Sequence, residues 1–295
     1  MSSRAARVVA QAKVNLALRI LAREASGYHS IETLFARLEL GDDVVVRTAR
    51  SGRALDCRGA DAGPAERNLA YLAATAYGDT AGWPPGFAVE IDKRIPVGGG
   101  LGGGSADAGA VLRALNALNP QPLPARQLLS IGARLGADIP FLASNACLAL
   151  AWGHGDRFLS LPALPRRDVV LLVPPFGVST ADAYAWVSTA RADSRSEAAA
   201  VEFTDLASWD RIAQVAANDF EPVVAERHPQ ITALVATLNH AGASIARLSG
   251  SGSTVFGVFE DEPDDFAVAL MTGGPDVCAI RTRTARRVED VELTE

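Results

Sequence analysis

The chain has 295 residues, 48% of them hydrophobic, which is enough to bury a substantial core in one large or two ordinary domains. Its net charge of −6 argues against nucleic-acid binding through overall basicity, but it is compatible with a local cationic pocket for a small anion. Three widely separated cysteines fit neither a disulfide framework nor a paired metal site, and no apolar run is long enough for a membrane span. We therefore expect a cytoplasmic protein with no membrane partner, and the sequence specifies no oligomeric state.

Hydrophobic periodicity predicts strands mixed with helices and no internal repeat, which indicates the α+β class. In chain order the first predicted elements are strands at 7–22, 23–40 and 41–50, a helix at 66–82, a strand at 86–96, and helices at 105–118 and 123–136. Polar residues at 11–15 interrupt the first strand, and turns are expected near residues 23 and 41.

Proline and charge concentrate at 160–168, which predicts the crossing between an N-terminal lobe at 1–160 and a C-terminal lobe at 168–288. The second lobe is predicted to contain a strand at 169–177, helices at 179–187 and 231–243, a strand–turn–strand at 245–260, a helix at 264–274 and a strand at 277–288. The last residues, 289–295, are expected to be frayed.

The segment "PVGGGLGGGSADAG" at 96–109 carries six glycines between Gly98 and Gly104, broken only by Leu101. A strand is predicted before it and a helix after it. Backbone N–H groups and the positive end of a helix dipole converge on an anion in such an arrangement, and glycine lets the anion approach the backbone. A phosphate-binding loop is favoured over a flexible linker or a tight packing turn.

Three common phosphate loops do not fit this segment. A Walker A loop ends in Gly-Lys-Ser/Thr, whereas this one ends in Gly104-Ser105-Ala106. A dinucleotide-binding loop needs an acidic residue at the end of a strand about 20 residues later, and no such strand is predicted. The downstream HRD and DFG segments of protein kinases do not occur in the sequence.

Three segments, "AKVNLAL" (12–18), "PVGGGLGGGSADA" (96–108) and "LSGSGSTVFG" (248–257), resemble the three motifs of the GHMP kinases. The further segments "SGYHSIETLF", "GADIPF" and "NDFEPVV" are similar to the branch that phosphorylates 4-diphosphocytidyl-2-C-methyl-D-erythritol. The resemblance runs from about Ala12 to Phe259. It implies two α+β lobes with the active site in the cleft between them, ATP as co-substrate, Mg²⁺, and a cytidine diphosphate sugar-alcohol whose 2-hydroxyl is phosphorylated.

By the same resemblance, Asp138 is the general base and Lys13 its partner. Phosphoryl transfer to an alcohol needs charge stabilisation on the moving phosphate and a group that accepts the hydroxyl proton. From the residues alone, a solvated strand residue is the favoured interpretation of Lys13 and a helix cap that of Asp138, and only the resemblance reverses both.

The resemblance assigns the ATP phosphates to the loop residues Gly98, Gly99, Gly100, Leu101, Gly102, Gly103 and Gly104. Ser105 is then a ligand for a phosphate oxygen or for magnesium, although a plain N-cap at the start of the helix accounts for it too. Asn68 matches a position on the adenine side, and a cap is again its alternative role.

For the acceptor, the resemblance implies that Tyr28 stacks on cytosine and His29 reads the edge of the base. Tyr184 is the second aromatic and Thr180 its neighbour, whereas a core position would also explain Tyr184. Asn15 is expected to touch the sugar-alcohol or its diphosphate. Gly250 and Ser251 are expected near the transferred phosphate, in a loop that an ordinary β-turn could also explain.

Two features depart from the branch pattern: His154 stands between glycines where a smaller or aliphatic residue is usual, and residues 188–205 find no match. Two rival functions stay open at this point. One is a GHMP kinase for homoserine or a mevalonate-type acceptor, which would need no nucleobase site. The other is an ATP-binding module without catalysis, against which the presence of both Lys13 and Asp138 argues.

Overall fold

A computed structural model of the chain describes residues 4–23, 29–59, 63–190, 202–263 and 276–294. The strands are β1 (Ala5–Arg23), β2 (His29–Ala49), β3 (Arg53–Arg58), β4 (Gly86–Asp92), β5 (Leu148–Gly153), β6 (Arg157–Leu161), β7 (Asp168–Val173), β8 (Ile245–Leu248), β9 (Val255–Phe259), β10 (Cys278–Arg283) and β11 (Glu292–Thr294). The helices are α1 (Leu69–Ala81), α2 (Gly103–Leu118), α3 (Ala125–Leu135), α4 (Ile139–Ala143), α5 (Thr180–Ala190), α6 (Trp209–Val215), α7 (Glu221–Arg227) and α8 (Gln230–His240). The mixture confirms the α+β class.

The larger sheet is built around the long antiparallel pair of β1 and β2. Strands follow in the order β11-β1-β2-β4-β3, and β5 pairs with the first half of β2 and carries β6 at its outer edge. The turn predicted at residue 41 is wrong, because β2 runs through it without a break. Gly41 lies opposite Gln11, and a Cβ there would stand 2.5 Å from Cγ1 of Val9, so this glycine permits a close contact within the sheet.

The polar stretch of β1 does not divide the strand; it lies buried inside it. Gln11, Lys13 and Asn15 are all less than 5% exposed. The register with β2 shifts between Gln11 and Lys13, and again between Asn15 and Ala17. Such bulges redirect side chains and are frequent beside active sites. Lys13 and Asn15 are in this way presented by a strand whose neighbouring residues Ala12, Val14 and Leu16 fill the core.

The end of the chain is ordered, so the prediction of a frayed tail is wrong. β11 pairs with β1, with Leu293 opposite Ala6. The backbone N–H of Glu289 also donates to Oε1 of the buried Gln11 at 3.0 Å. The β-ladder and this side-chain contact together stabilise a segment whose composition did not predict ordered structure.

The smaller sheet has the order β10-β7-β9-β8, and each neighbouring pair is antiparallel. One hydrophobic cluster packs the larger sheet against α1–α4, and a second packs the smaller sheet against α5, α7 and α8. Leu18, Ile20 and Ile31 of β1 and β2 belong to the second cluster, so the end of the long pair reaches toward the smaller sheet. Within the described ranges no helix is long and apolar enough to cross a membrane. The helix predicted at 264–274 lies outside these ranges.

Candidate active site

A cleft of about 920 Å³ opens where the larger sheet, α4, α5 and the turn after β8 meet. It brings together predicted site residues from distant parts of the chain, namely Lys13, Asn15, His29, Gly100, Gly102, Ser105, Asp138, Thr180, Tyr184, Gly250 and Ser251. Tyr28 lies outside the described residues. The three segments that carry the GHMP resemblance therefore converge on one cavity.

Lys13 is the central side chain of the cleft. Its Nζ donates to Oδ1 of Asn15 at 2.7 Å and to the carbonyl of Gly100 at 3.1 Å, and it lies 3.3 Å from Oδ2 of Asp138. The ring of Phe35 lies 5.5 Å from the same nitrogen. With 4% of its side chain exposed, Lys13 is not a solvated strand residue. These contacts fix the positive charge of Lys13 between the glycine segment and the Asp138 carboxylate.

Asp138 immediately precedes α4, and its carboxylate does not cap that helix. The side chain is 29% exposed and lines the cleft, with Lys13 as its ion-pair partner. A carboxylate that is paired with a buried ammonium and still open to a cavity is able to accept a proton from a bound hydroxyl. The geometry therefore does not support the alternative of a plain helix cap.

Asn15 is held on both sides by protein atoms. Its Nδ2 donates to Oγ1 of Thr33 at 2.8 Å, and the Thr33 hydroxyl donates to the carbonyl of Ala17 at 2.7 Å. The amide oxygen accepts from Lys13. This chain of hydrogen bonds orients the Asn15 amide, which in turn orients the Lys13 ammonium.

The middle of the glycine segment packs against the turn that follows β8. A Cβ on Gly100 would lie 2.0 Å from the carbonyl oxygen of Ser249, and one on Gly99 would lie 2.5 Å from Oγ1 of Thr254. Ser249 Oγ donates to the Gly100 carbonyl, and the N–H of Thr254 donates to the Gly99 carbonyl. Glycine is required at these two positions because the backbone packs closely against another part of the same chain. This is the behaviour expected of a tight packing turn.

The glycines at the two ends of the segment have a different environment. No atom lies within 4 Å of a Cβ built on Gly98, and Gly104 would meet only Cδ1 of Leu69 at 3.6 Å. Leu101 is 1% exposed and fastens the segment to the core. The backbone at Gly98 and Gly104 is thus open to an approaching ligand. A linker would have no such anchor.

Ser105 and Asn68 have distinct roles in the helices. Gly102 is the N-cap of α2, so Ser105 lies within the first turn of that helix and lines the cleft. The plain N-cap reading of Ser105 is therefore wrong. Asn68 is the N-cap of α1, where its side chain accepts from the N–H of Ala70 at 2.9 Å. Asn68 is not among the described residues that line the cleft.

Beneath the glycine segment lies a buried cluster of three charged groups, Asp42, Lys93 and Asp107. Lys93 Nζ donates to Oδ2 of Asp107 at 2.8 Å and to Asp42 at 2.5 Å. Asp42 also accepts from the backbone N–H groups of Arg94 and Ile95. Burial, with the nearby Asp42 charge, raises the pKa of Asp107 to about 7 although Lys93 opposes the shift. The cluster joins the two ends of the glycine segment.

The aromatic part of the cleft is formed by His29, Tyr184 and Phe220. The His29 and Tyr184 rings stack with centroids 4.7 Å apart and an interplanar angle of 10°. Phe220 meets Tyr184 edge-on at 4.9 Å, and Nε2 of His29 lies 3.1 Å from Oγ of Ser188. The spacing of 4.7 Å leaves no room for a base between the two rings. Tyr184 is a lining residue of the cleft that is only partly buried.

The C-terminal motif contributes a turn that also lines the cleft. The N–H of Gly252 donates to the carbonyl of Ser249 at 2.9 Å, as in an ordinary turn. Ser251 Oγ lies 3.0 Å from Oγ1 of Thr180, which connects this turn to α5. His154, the departure noted in the sequence, lines the same cavity between Gly153 and Gly155.

Sequence reasoning missed several supporting residues, among them Thr33, Phe35, Arg37 and Lys93. Thr33, Phe35 and Arg37 alternate along β2 and therefore share one face of the strand. The sequence pattern that could have identified them is two polar residues on either side of a phenylalanine on the same face of a strand. Lys93 had no local signal, because its partners are 51 and 14 residues away.

Comparison with known proteins identifies relatives along nearly the whole chain. The profile of the GHMP kinases N-terminal domain matches residues 68–146, and that of the GHMP kinases C-terminal domain matches residues 197–272. A 4-diphosphocytidyl-2-C-methyl-D-erythritol kinase of Pelotomaculum thermopropionicum is 37% identical over 281 residues, 94% of this chain and 96% of that protein. The enzyme of the same name from Citrifermentans bemidjiense is 38% identical over 86% of this chain and 90% of its own length.

Solved structures give a similar result. A crystal structure of 4-(cytidine 5'-diphospho)-2C-methyl-D-erythritol kinase matches 95% of this chain and 99% of its own, with a TM-score of 0.77 and 33% identity. A homoserine kinase from Cytophaga hutchinsonii matches with a TM-score of 0.67 at 17% identity. At that identity the second match shows the shared fold alone.

Proposed function

The chain belongs to the GHMP kinase family, within its 4-diphosphocytidyl-2-C-methyl-D-erythritol kinase branch, and we propose that the cleft around Lys13 and Asp138 performs this reaction. ATP is the co-substrate, and the acceptor is the 2-hydroxyl of the methylerythritol unit. The observation that carries the proposal is the ion pair of Lys13 and Asp138, whose ammonium also contacts the glycine segment at Gly100.

In the proposed reaction the acceptor hydroxyl oxygen forms a bond to the γ-phosphorus of ATP, and the bond from that phosphorus to the bridging oxygen breaks. The hydroxyl proton passes to the carboxylate of Asp138, and ADP leaves. Charge accumulates on the transferred phosphoryl oxygens, which the fixed ammonium of Lys13 stabilises without reorganising. Gly98 and Gly104 offer open backbone to the phosphates of ATP.

The acceptor lies in the aromatic part of the cleft. Cytosine stacks on an outer face of the aromatic group that includes Tyr184, because the 4.7 Å spacing between His29 and Tyr184 admits no base. An edge contact by Nε2 of His29 replaces its contact with Ser188. Asn15, Thr180, Gly250 and Ser251 line the same cleft as Asp138 and are available to the sugar-alcohol and its diphosphate.

A magnesium ion accompanies ATP in this proposal. Mg²⁺ keeps several waters, and phosphates with one or two protein oxygens are enough to hold it. That requirement fits a cleft lined by the Ser105 hydroxyl, even though the described residues contain no group of three or more His, Cys, Asp or Glu side chains arranged for a metal. Ser105 would hold the ion together with the phosphates. When bound, Mg²⁺ neutralises charge on the β- and γ-phosphates.

We also propose the cytoplasm as the compartment of the enzyme. All three cysteines, Cys57, Cys147 and Cys278, are free thiols, which is the state that a reducing compartment maintains.

The test is release of ADP from ATP and magnesium with a panel of acceptors: the cytidylyl methylerythritol, homoserine, mevalonate and phosphomevalonate. We expect turnover with the cytidylyl compound alone. Asp138→Asn assayed beside the parent separates catalysis at this site from contaminating kinase activity.

Turnover with another acceptor alone would contradict the proposed cytosine-binding role of the aromatic residues. The proposed ATP-binding role of the glycine segment would be unaffected. Nucleotide binding without turnover on any acceptor would favour a binding module.

A further inference from the structure

Behind the cleft, the long side chain of Arg37 is completely buried, with 1% of its surface exposed. It reaches the segment that follows Asp138. Nε donates to the carbonyl of Ala146 at 3.1 Å, and Nη2 donates to those of Phe141 at 2.8 Å and Ser144 at 3.2 Å. Longer contacts of 3.4 Å run to the carbonyl of Leu142.

Its charge is satisfied by these carbonyls. Burial lowers the pKa of Arg37 to about 9, with the charge of Arg113 acting in the same direction, so the guanidinium stays protonated at neutral pH. The last carbonyls of a helix have no partner within the helix and attract a cation. A planar guanidinium with several diverging donors fits such a cluster, whereas the ammonium of a lysine does not.

The position of Arg37 in the sheet relates it to the proposed catalytic pair. Arg37 lies directly opposite Lys13 in the register of β1 and β2, and opposite residues of an antiparallel pair share one face. Lys13 contacts Asp138 at the start of α4, and Arg37 contacts the carbonyls at its end. The two cations of one sheet face thus hold α4 at both of its ends.

The helix between them is too short to hold its own position. α4 has only five residues; the N–H of Leu142 donates to the carbonyl of Asp138 at 3.1 Å at its start, and the N–H of Ser144 donates to the carbonyl of Phe141 at 3.1 Å at its end. A single turn is unstable without external contacts. Its orientation, and with it the direction of the Asp138 carboxylate, therefore depends on external contacts: α2 and α3 pack against it, and the sheet supplies the charged contacts at its two ends.

We propose that Arg37 is a positioning residue for phosphoryl transfer, which fixes α4 so that the Asp138 carboxylate is held toward Lys13 and the cleft. The inference rests on the proposed role of Asp138 as the base. Arg37 lies behind α4 and acts only through that helix.

The experiment compares Arg37→Lys and Arg37→Gln with Arg113→Met, a control that removes another largely buried arginine with a backbone-carbonyl partner. We expect kcat to fall on the order of tenfold to a hundredfold in both Arg37 variants, since small misplacements of a catalytic group have effects of this size. The KM values for ATP and for the acceptor should stay within about twofold of the parent. A rise in KM at unchanged kcat, or equal losses in the Arg113 control, would overturn the inference.

A double-mutant cycle separates this inference from the proposed function. If Arg37 acts through Asp138, then Arg37→Gln should change kcat by no more than about twofold in the Asp138→Asn background. Retained activity in Asp138→Asn alone would remove the role of Asp138. Loss of activity in Asp138→Asn together with full kcat in the Arg37 variants would remove only the role of Arg37.

Hydrogen exchange keeps the test decisive if Arg37→Gln does not fold. In Arg37→Lys, the protection of the Leu142 and Ser144 amides should fall by at least about tenfold relative to amides of α2. Unchanged protection of these two amides would show that α4 does not depend on the guanidinium, and the inference would be wrong.

Discussion

The half of the cleft proposed for the phosphates and the half proposed for the acceptor are built in different ways. The proposed phosphate half comes from one continuous segment, residues 96–105, of which Gly100, Gly102 and Ser105 line the cleft. The acceptor half draws side chains from separate places, among them His29 on β2, Tyr184 on α5 and Ser251 in the turn after β8. Asp138 and Lys13 lie where the halves meet.

The difference shows how the two kinds of recognition are specified. A phosphate is bound by N–H groups and a helix start, which a short local sequence can provide. A base and a sugar-alcohol need flat apolar faces and directed polar groups, which a single loop rarely provides. The first kind of site is readable from a motif, and the second is assembled by folding.

The largest effect is expected where the halves meet. Asp138→Asn removes the proposed proton acceptor and should lower kcat by about 10² to 10⁴, with the KM for ATP unchanged. Steady-state ADP release measures both constants. Asp79→Asn, on the outer surface of α1, is the matched control and should retain full activity. Activity within a few-fold of the parent in Asp138→Asn would remove the base from the mechanism.

A large loss of stability is expected from the cluster under the phosphate half. Lys93→Met leaves Asp42 and Asp107 buried together without a cation, and the free energy of unfolding should fall by about 3–5 kcal/mol. Urea denaturation followed by circular dichroism measures it. Arg94→Met, whose exposed guanidinium contacts Asp43, should cost less than about 1 kcal/mol. Similar losses in the two variants would contradict a special role for the buried cluster.

Two glycines of the same segment should respond differently to a methyl group. Gly100→Ala drives a Cβ onto the Ser249 carbonyl from a backbone with φ of +79°, so it should reduce stability and turnover together. Gly104→Ala meets no close protein atom and lies in α2, where alanine favours the helix by about 1 kcal/mol. There we expect an intact fold and a KM for ATP raised about tenfold, equivalent to about 1.4 kcal/mol. Unchanged ATP binding in Gly104→Ala would show that the phosphates do not approach this residue.

The acceptor half is tested at Tyr184. Base stacking on an aromatic ring contributes about 1–3 kcal/mol, so Tyr184→Ala should raise the KM for the cytidylyl substrate by about 5-fold to 150-fold. The KM for ATP should not change, and Tyr184→Phe should behave as the parent. Kinetics with each substrate varied in turn provide the comparison. Equal effects on the two KM values would contradict stacking.

The smallest effect concerns the pH dependence of stability. Burial and Asp42 raise the pKa of Asp107 to about 7 in the folded state, above its unfolded value of 3.8, so the folded protein binds the proton more tightly. This group therefore makes stability fall as pH rises from about 4 to about 7. Asp107→Asn removes that contribution and leaves the Lys93–Asp42 pair intact. Measured by urea denaturation, the free energy of unfolding should differ less between pH 5 and pH 8 in this variant than in the parent. An unchanged difference would contradict the raised pKa of Asp107.

Much of the secondary structure followed from local pattern. The predicted helices at 66–82, 105–118 and 231–243 are observed within a few residues of their bounds, because apolar periodicity and caps are local signals. The turn at residue 41 and the frayed tail were wrong. Gly41 serves a contact with the neighbouring strand, and the tail is stabilised by β1.

The sequence by itself determined the α+β class, the glycine segment and the family resemblance, because each is carried by local patterns or short motifs that can be recognised without knowing which segments meet in space. Tertiary structure decided which glycines face protein and which stay open, and it brought Lys13 within 3.3 Å of Asp138 across 125 residues of sequence. It also decided that Arg37 lies buried behind α4. A charged residue on a strand has no local signal that tells burial from solvation, because its partners are chosen only when the sheet and the helix pack together.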